Sequence, residues 1–266
     1  MVSEVGSASA APGLWSAVRI ALIADIHGNT VALDAVLADV ADQRVDRIVC
    51  LGDVAANGPD PAGAIERLVE QDCLTVMGNT DADLADVPGW WHEPASVGIP
   101  EEAWPGIEIG VWGASQISED HRRYLSSLDA SATIDLGDCG GLRCFHGSPV
   151  SSNDLITSST TDAELDLMFH GVDETFLAGG HTHVPAVRRY GSRTIINPGS
   201  VGLPFAAYGY AGSVRVTTEA SYALVAERGA LFNIELRQVA IDLEELRRDV
   251  ARAQMPHADW WLGLWR

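Results

Sequence analysis

The sequence predicts an α/β chain in which two sheets pack together with helices outside. Two observations point there. Toward the N-terminus, short apolar runs alternate with segments of helical period, whereas toward the C-terminus apolar runs follow one another with no helix between them. A third observation concerns the polar residues, because nearly every polar cluster follows directly on an apolar run.

Residues 18–24 are apolar apart from Arg19, 31–40 carry apolar residues at helical spacing and 47–51 are apolar again, a strand–helix–strand unit. Pro61 suits the first position of a helix over 61–70, and 74–77 is a third short strand before Gly78. Residues 83–116, with Trp90, Trp91, Trp104 and Trp112, show no readable period and are expected to be loops. A helix is expected over 118–128, strands over 131–136 and 142–145, a helix over 163–169, and strands over 174–178 and 193–196. Antiparallel strands over 213–218, 223–227 and 231–239 precede a helix over 243–253. With neither repeat nor linker, a single domain is expected over 1–266. Residues 1–16 form a flexible extension, and 254–266 an aromatic tail whose Trp260, Trp261, Leu264 and Trp265 pack on the body.

Composition excludes several chemistries. All 17 basic residues are arginine, so there is no lysine for a Schiff base or a phosphate-binding loop. Against 37 acidic residues they leave a net charge of -20, so stable nucleic-acid binding is not expected and a phosphate substrate needs local positive charge, which divalent metal would supply. Four cysteines in a chain of this length fit a reduced, cytoplasmic setting, with Cys50 and Cys144 as small buried hydrophobes. The uncharged stretch 194–214 is broken by glycines and prolines and reads as a loop; no membrane association is expected.

The polar clusters are Asp25 and His27 after the first strand, Gly52 and Asp53 after the second, Gly78 and Asn79 after the third, then His146 and Gly147, and Gly180 with His181 and His183. Carboxyl ends of strands share one rim of an open sheet, so these distant segments should converge. Two aspartates, one asparagine and four histidines form an oxygen and nitrogen donor set suited to manganese, iron, zinc or nickel. Seven donors exceed one tetrahedral zinc but suffice for two metals about 3.5–4 Å apart when one carboxylate bridges. In an extended segment Asp25 with His27, and His181 with His183, would face one side, with Ile26 and Thr182 turned away. Asp25 and Asp53 are also placed to cap the helices that follow them, and Asn79 to form a turn. His92, His121, His170 and His257 read as ordinary polar residues.

The segments D-I-H-G-N at 25–29, G-D at 52–53, G-N-T-D at 78–81, F-H-G-S-P at 145–149 and G-H-T-H at 180–183 resemble the calcineurin-like metallophosphoesterase superfamily. G-P at 58–59 and N-P-G-S-V-G at 197–202 look like its small prokaryotic phosphodiesterase branch. The resemblance implies a four-layer α-β-β-α sandwich of two mixed sheets, with a dinuclear site at the strand ends. Asp25, His27 and His183 would hold one metal, Asn79, His146 and His181 the other, and Asp53 would bridge. A hydroxide between the ions would attack phosphorus in line. Two divalent ions against Asp25, Asp53 and hydroxide leave one net positive charge. Thr80 stands where many members carry a proton-donating histidine, which leaves Asp81 as candidate general acid, or else substrates with good leaving groups. Ala55, Ala56 and Asn57 replace the arginine that follows G-D in serine/threonine protein phosphatases, which counts against phosphoprotein substrates.

The sequence is thus expected to encode a cytoplasmic metallophosphoesterase using two divalent ions, manganese foremost, on a small phosphoester. Phosphodiesters stand ahead of monoesters, and Asn29, Asn197 and Ser200 are expected to support the ligands. A phosphomonoesterase or nucleotide pyrophosphatase, and a non-catalytic protein-binding scaffold of the same fold, remain open, as does a homo-oligomer.

Overall fold

The computed structural model describes residues 18–206, 215–228 and 231–265. The expected extension 1–16 lies outside the described residues, as do 207–214 of the expected loop and the start of the strand expected at 213–218; within that strand's described part only Val216 makes isolated bridges.

Each sheet has five strands. The first is ordered β10-β9-β1-β2-β3, from β1 (Arg19–Ile23), β2 (Arg47–Cys50), β3 (Leu74–Thr75), β9 (Glu219–Arg228) and β10 (Leu231–Ala240). The second is ordered β4-β5-β6-β8-β7, from β4 (Ser131–Asp135), β5 (Gly141–Phe145), β6 (Phe176–Ala178), β7 (Ala186–Tyr190) and β8 (Arg193–Asn197). The centre of each is parallel, β1 with β2 and β3, β5 with β6 and β8, while β9, β10, β4 and β7 join antiparallel. Both sheets are therefore mixed.

Alternation along β1 shows how the layers form. Ile20, Leu22 and Ala24 pack with Val49, Leu51, Leu142, Cys144, Ala178 and Ile196 between the two sheets. Ala21 and Ile23 face the other way, onto α1 (Thr30–Asp42) and α2 (Pro61–Glu70) through Leu33, Val36, Ile65 and Leu68. A strand buried on both faces has no polar alternation, which is why 18–24 reads as a continuous apolar run. On the outer face of the second sheet Phe145, Leu177 and Ile195 meet Leu165 of α6 (Asp162–Met168) and Phe169. The resulting order of helices, sheet, sheet and helix is the expected four-layer sandwich.

The segment expected as loops, 83–116, contains more order. After α3 (Asn79–Ala85) come three short 3-10 turns and then α4 (Trp104–Gln116), a full helix that the period analysis missed. Gly106, Gly110 and Gly113 obscured it, because glycine weakens a helix by about 1 kcal/mol relative to alanine. Gly110 has a packing reason: a Cβ there would lie 2.9 Å from Cζ3 of Trp91, so the missing side chain admits the indole. Strand β7 was also missed, since it is an edge strand with mostly exposed residues. Helices α5 (Glu119–Ser126) and α7 (Leu243–Ala253) match their expected positions. The tail forms α8 (Ala258–Leu262); Trp261 and Trp265 are buried, and the Trp261 indole donates to the Asn57 carbonyl at 2.8 Å. Cys50 and Cys144 are buried, as expected of small hydrophobes. Among the described residues no helix is long and apolar enough to cross a membrane.

Asp39 joins α1 to the first sheet. It accepts from Arg237 Nε at 2.9 Å and Nη2 at 3.1 Å, and from the Tyr222 hydroxyl. The Arg237 hydrogen bonds hold its carboxyl below the usual carboxylate range. A depressed pKa gives stability present above the unfolded value and lost as pH falls through the folded one. Asp39→Asn is expected to be about 1 kcal/mol less stable near neutrality and to lose less than the native chain between about pH 5 and pH 3 in urea denaturation; parallel pH curves for the two chains would contradict this.

Candidate metal centre

Five loops leave the carboxyl ends of β1, β2, β3, β5 and β6, and their backbones are tied to one another. Asp25 N–H donates to Gly52 O at 3.0 Å, His27 N–H to Asp53 O at 3.0 Å, and Gly180 N–H to His146 O at 2.8 Å. Glycine is required where loops nearly touch: Gly52 has φ +93°, and a Cβ on Gly78 would sit 2.1 Å from Asp53 Oδ1.

All seven residues expected as ligands meet there. One group comprises Asp25, His27 and His183, the other Asp53, His146 and His181. His27 Nε2 lies 3.2 Å from His183 Nε2, which is 3.4 Å from Asp25 Oδ1. In the second group His146 Nε2 is 3.2 Å from His181 Nδ1 and 3.1 Å from Asn79 Oδ1. Asp53 Oδ2 stands between the groups, 3.7 Å from His27 Nε2 and 3.4 Å from His146 Nε2.

The extended alternation expected to turn Asp25 with His27, and His181 with His183, to one side is not how the chain does it. Asp25, His27, Asp53, His181 and His183 all have φ between 50° and 66°, in the left-handed region. At about 1 kcal/mol each this stores about 5 kcal/mol of backbone strain, against which the cross-loop bonds work. Nor do Asp25 and Asp53 cap helices. Asn29 caps α1 by accepting from Ala32 N–H at 3.1 Å, and Asp60 caps α2. Both aspartates instead point inward, where Asp25 accepts from His181 N–H and Asp53 Oδ1 from Thr80 N–H at 2.9 Å. Asn79 opens α3 rather than forming a free turn.

Three imidazoles are oriented by carbonyl oxygens. Nδ1 of His27, His146 and His183 lies 2.9, 2.7 and 2.7 Å from the carbonyls of Ala56, Leu51 and Leu203. A carbonyl only accepts, so Nδ1 carries a proton and Nε2 faces the centre, offering its lone pair wherever the ring is neutral. His183 also stacks on Phe205 at a centroid distance of 4.2 Å. These supports escaped the sequence reading because a backbone carbonyl has no residue signature. The expected supporting residues do act on the loops. Asn29 Nδ2 donates to Gly202 O, Asn197 Nδ2 to Gly180 O and Thr182 Oγ1, and Ser200 Oγ to Asp25 O at 2.8 Å.

The donor set fits divalent cations. Bonds of about 2.1 Å give polyhedron edges of about 3.0 Å (octahedral) to 3.4 Å (tetrahedral), which brackets the separations of 3.1 to 3.4 Å between His27 and His183, His183 and Asp25, His146 and His181, His146 and Asn79, and His146 and Asp53. Burial pushes the pKa of His27 and His183 down, and burial with the charge of His146 pushes His181 down to about 4, so these three are neutral, ligand-competent imidazoles near pH 7. For His146 burial works downward, but the Asp53 carboxylate prevails and raises it to about 10. Burial pushes Asp25 well above the carboxylate range despite the attraction of His146. Among the described residues no arginine pairs with Asp25, Asp53 or Asp81, so cations are the charge this cluster lacks.

Asp81, expected as general acid, is placed otherwise. It is fully buried, and its two oxygens accept from the backbone N–H groups of Asp53, Val54 and Gly78 at 2.8, 2.8 and 2.9 Å. Burial raises its pKa to about 6, yet the carboxyl clamps the β2 and β3 loops together and is not presented to the centre.

Residues 18–221 match the calcineurin-like phosphoesterase superfamily domain. An uncharacterized protein of Methanocaldococcus jannaschii is 26% identical over 262 residues, covering 92% of this chain and 95% of its own. A metallophosphoesterase from Sphaerobacter thermophilus, 28% identical, superposes with a TM-score of 0.70 over 93% of this chain and 98% of its own. A hypothetical protein from Pyrococcus horikoshii shares the fold, with a TM-score of 0.74 at 19% identity over 93% and 97% of the two chains.

Asp81→Ala strands three buried N–H donors and is expected to cost about 3 kcal/mol or more in urea denaturation, with Asp81→Asn costing less because one acceptor oxygen remains. A loss below about 1 kcal/mol for the alanine variant would rule out the clamp.

Proposed function

The chain belongs to the calcineurin-like phosphoesterase superfamily, and from that premise we propose that it is a phosphodiesterase that works with two divalent cations, manganese foremost. The observation that carries the reading is Asp53 Oδ2 standing between two donor groups whose lone pairs face inward. Asp25, His27 and His183 would hold one cation, Asn79, His146 and His181 the other, with Asp53 shared. Cations bound there would supply a nucleophile from water at neutral pH and neutralise charge on the phosphoryl oxygens.

The chain's own part is orientation and exclusion. Carbonyls of Ala56, Leu51 and Leu203 hold the imidazoles in their ligand tautomer, and Ser200 and Asn197 hold the loops that carry Asp25 and His181. The balance of one positive charge counted from the sequence matches the single negative charge of a phosphodiester. A monoester dianion would leave excess negative charge inside a protein of net charge -20.

The test pairs bis(4-nitrophenyl) phosphate with 4-nitrophenyl phosphate, using protein loaded with manganese. The diester should react with the higher kcat/KM. A lost ligand should cost more than the 10–100-fold typical of losing a ligand's supporting partner, so Asp53→Asn and His146→Ala should each fall by more than about 100-fold. Metal analysis should give two ions per native chain. A faster monoester would move the assignment to a phosphomonoesterase, and two bound ions without turnover of any phosphoester would leave a scaffold.

A further inference from the structure

Phosphoester hydrolysis ends on an ester oxygen that must acquire a proton to depart as an alcohol, and none of the residues described so far is free to give one. Asp81 is clamped by three backbone amides, and Thr80, beside Asn79, offers only a hydroxyl whose Oγ1 meets no hydrogen-bond partner. One turn further along α3 stands Asp83.

In an α-helix, residues four apart differ by about 40° around the axis, so Asp83 shares the face of Asn79, whose Oδ1 is 3.1 Å from His146 Nε2. Their Cβ atoms are about 6 Å apart, within the span of a carboxyl and a small leaving group. Asp81 and Leu84 occupy the opposite, buried face. Asp83 is half-buried and, among the described residues, its carboxyl makes neither a hydrogen bond nor an ion pair. Burial raises its pKa above the ordinary carboxylate value. A proton donor needs a carboxyl that is unpartnered and close enough to the metal-ligand face for a leaving group to reach, and Asp83 meets both conditions from its place beside Asn79 on α3.

Resting on the phosphoesterase reading above, we infer that Asp83 protonates the leaving-group oxygen. As the oxygen of a water bonds to phosphorus, the bond from phosphorus to the ester oxygen breaks and its electron pair stays on the departing oxygen. That oxygen takes the Asp83 proton and leaves as an alcohol. The proton lost by the water goes to solvent, and the Asp83 carboxylate regains one from solvent, so water and diester give monoester and alcohol.

Asp83→Asn keeps the shape and removes the acid, whereas Asp83→Glu keeps an acid. Both are compared with the native chain, loaded with manganese, on bis(4-nitrophenyl) phosphate and on an alkyl phosphodiester, whose alkoxide departs poorly without a proton. Asp83→Asn should lower kcat on the alkyl diester by about 10²- to 10⁴-fold, with a loss on the aryl diester at least tenfold smaller. Asp83→Glu should recover part of the alkyl activity, and bound metal and melting temperature should match the native chain. Equal losses on both substrates, loss of metal, or a native chain that cleaves only the aryl diester would each overturn the role of Asp83 alone. Failure of the native chain on both substrates with two ions bound would overturn the phosphoesterase reading and this inference with it.

Discussion

Three carboxylates, those of Asp25, Asp53 and Asp81, lie fully or almost fully buried at the rim shared by two sheets, with no arginine paired to them among the described residues and no lysine in the chain. Burying one uncompensated carboxylate costs several kcal/mol, so the rest of the centre answers to this constraint. Asp81 is relieved by three backbone amides. For Asp53 one Thr80 amide and the His146 ring serve, and for Asp25 the His181 amide. What remains uncompensated lies between two triads of donors, which is why the arrangement reads as a cation site.

Holding such a cluster demands a rigid frame. The two sheets supply it by burying strands such as β1 on both faces, so their ends cannot drift apart without opening a core. Left-handed backbone at Asp25, His27, Asp53, His181 and His183 aims the side chains inward, and strain of that kind persists only when neighbours over-determine it. Here the neighbours are other loops: Ser200 and Gly202 bind the backbone of Asp25, and Asn197 binds that of Gly180. Beyond Asn197, the last residue of β8, the segment 198–203 lies outside both sheets, yet it fixes both Asp25 and the ring of His183.

On the proposed reading the acidic chain and the centre divide the labour. A net charge of -20 opposes polyanions at long range, while the local positive charge that bound cations would bring would draw a single phosphoryl group at short range. Within α3 the same separation recurs on the scale of one helix, Asp81 turned inward as a clamp and Asp83 outward on the face of Asn79.

By itself the sequence determined the order of most elements and the identity of all seven inward-facing polar residues. Apolar runs such as 18–24, the proline opening 61–70 and the donors after strand ends are local patterns. The helix over 104–116 stayed hidden because its glycines make sense only against Trp91, and β7 because an exposed edge carries no apolar period. Tertiary structure alone decided which nitrogen each histidine turns inward, that left-handed backbone rather than extended chain aligns Asp25 with His27, and that Asp81 is a clamp. Those outcomes depend on backbone carbonyls and amides from segments far away, His27 meeting His183 across 156 positions, and main-chain groups are the same at every residue until folding brings them together.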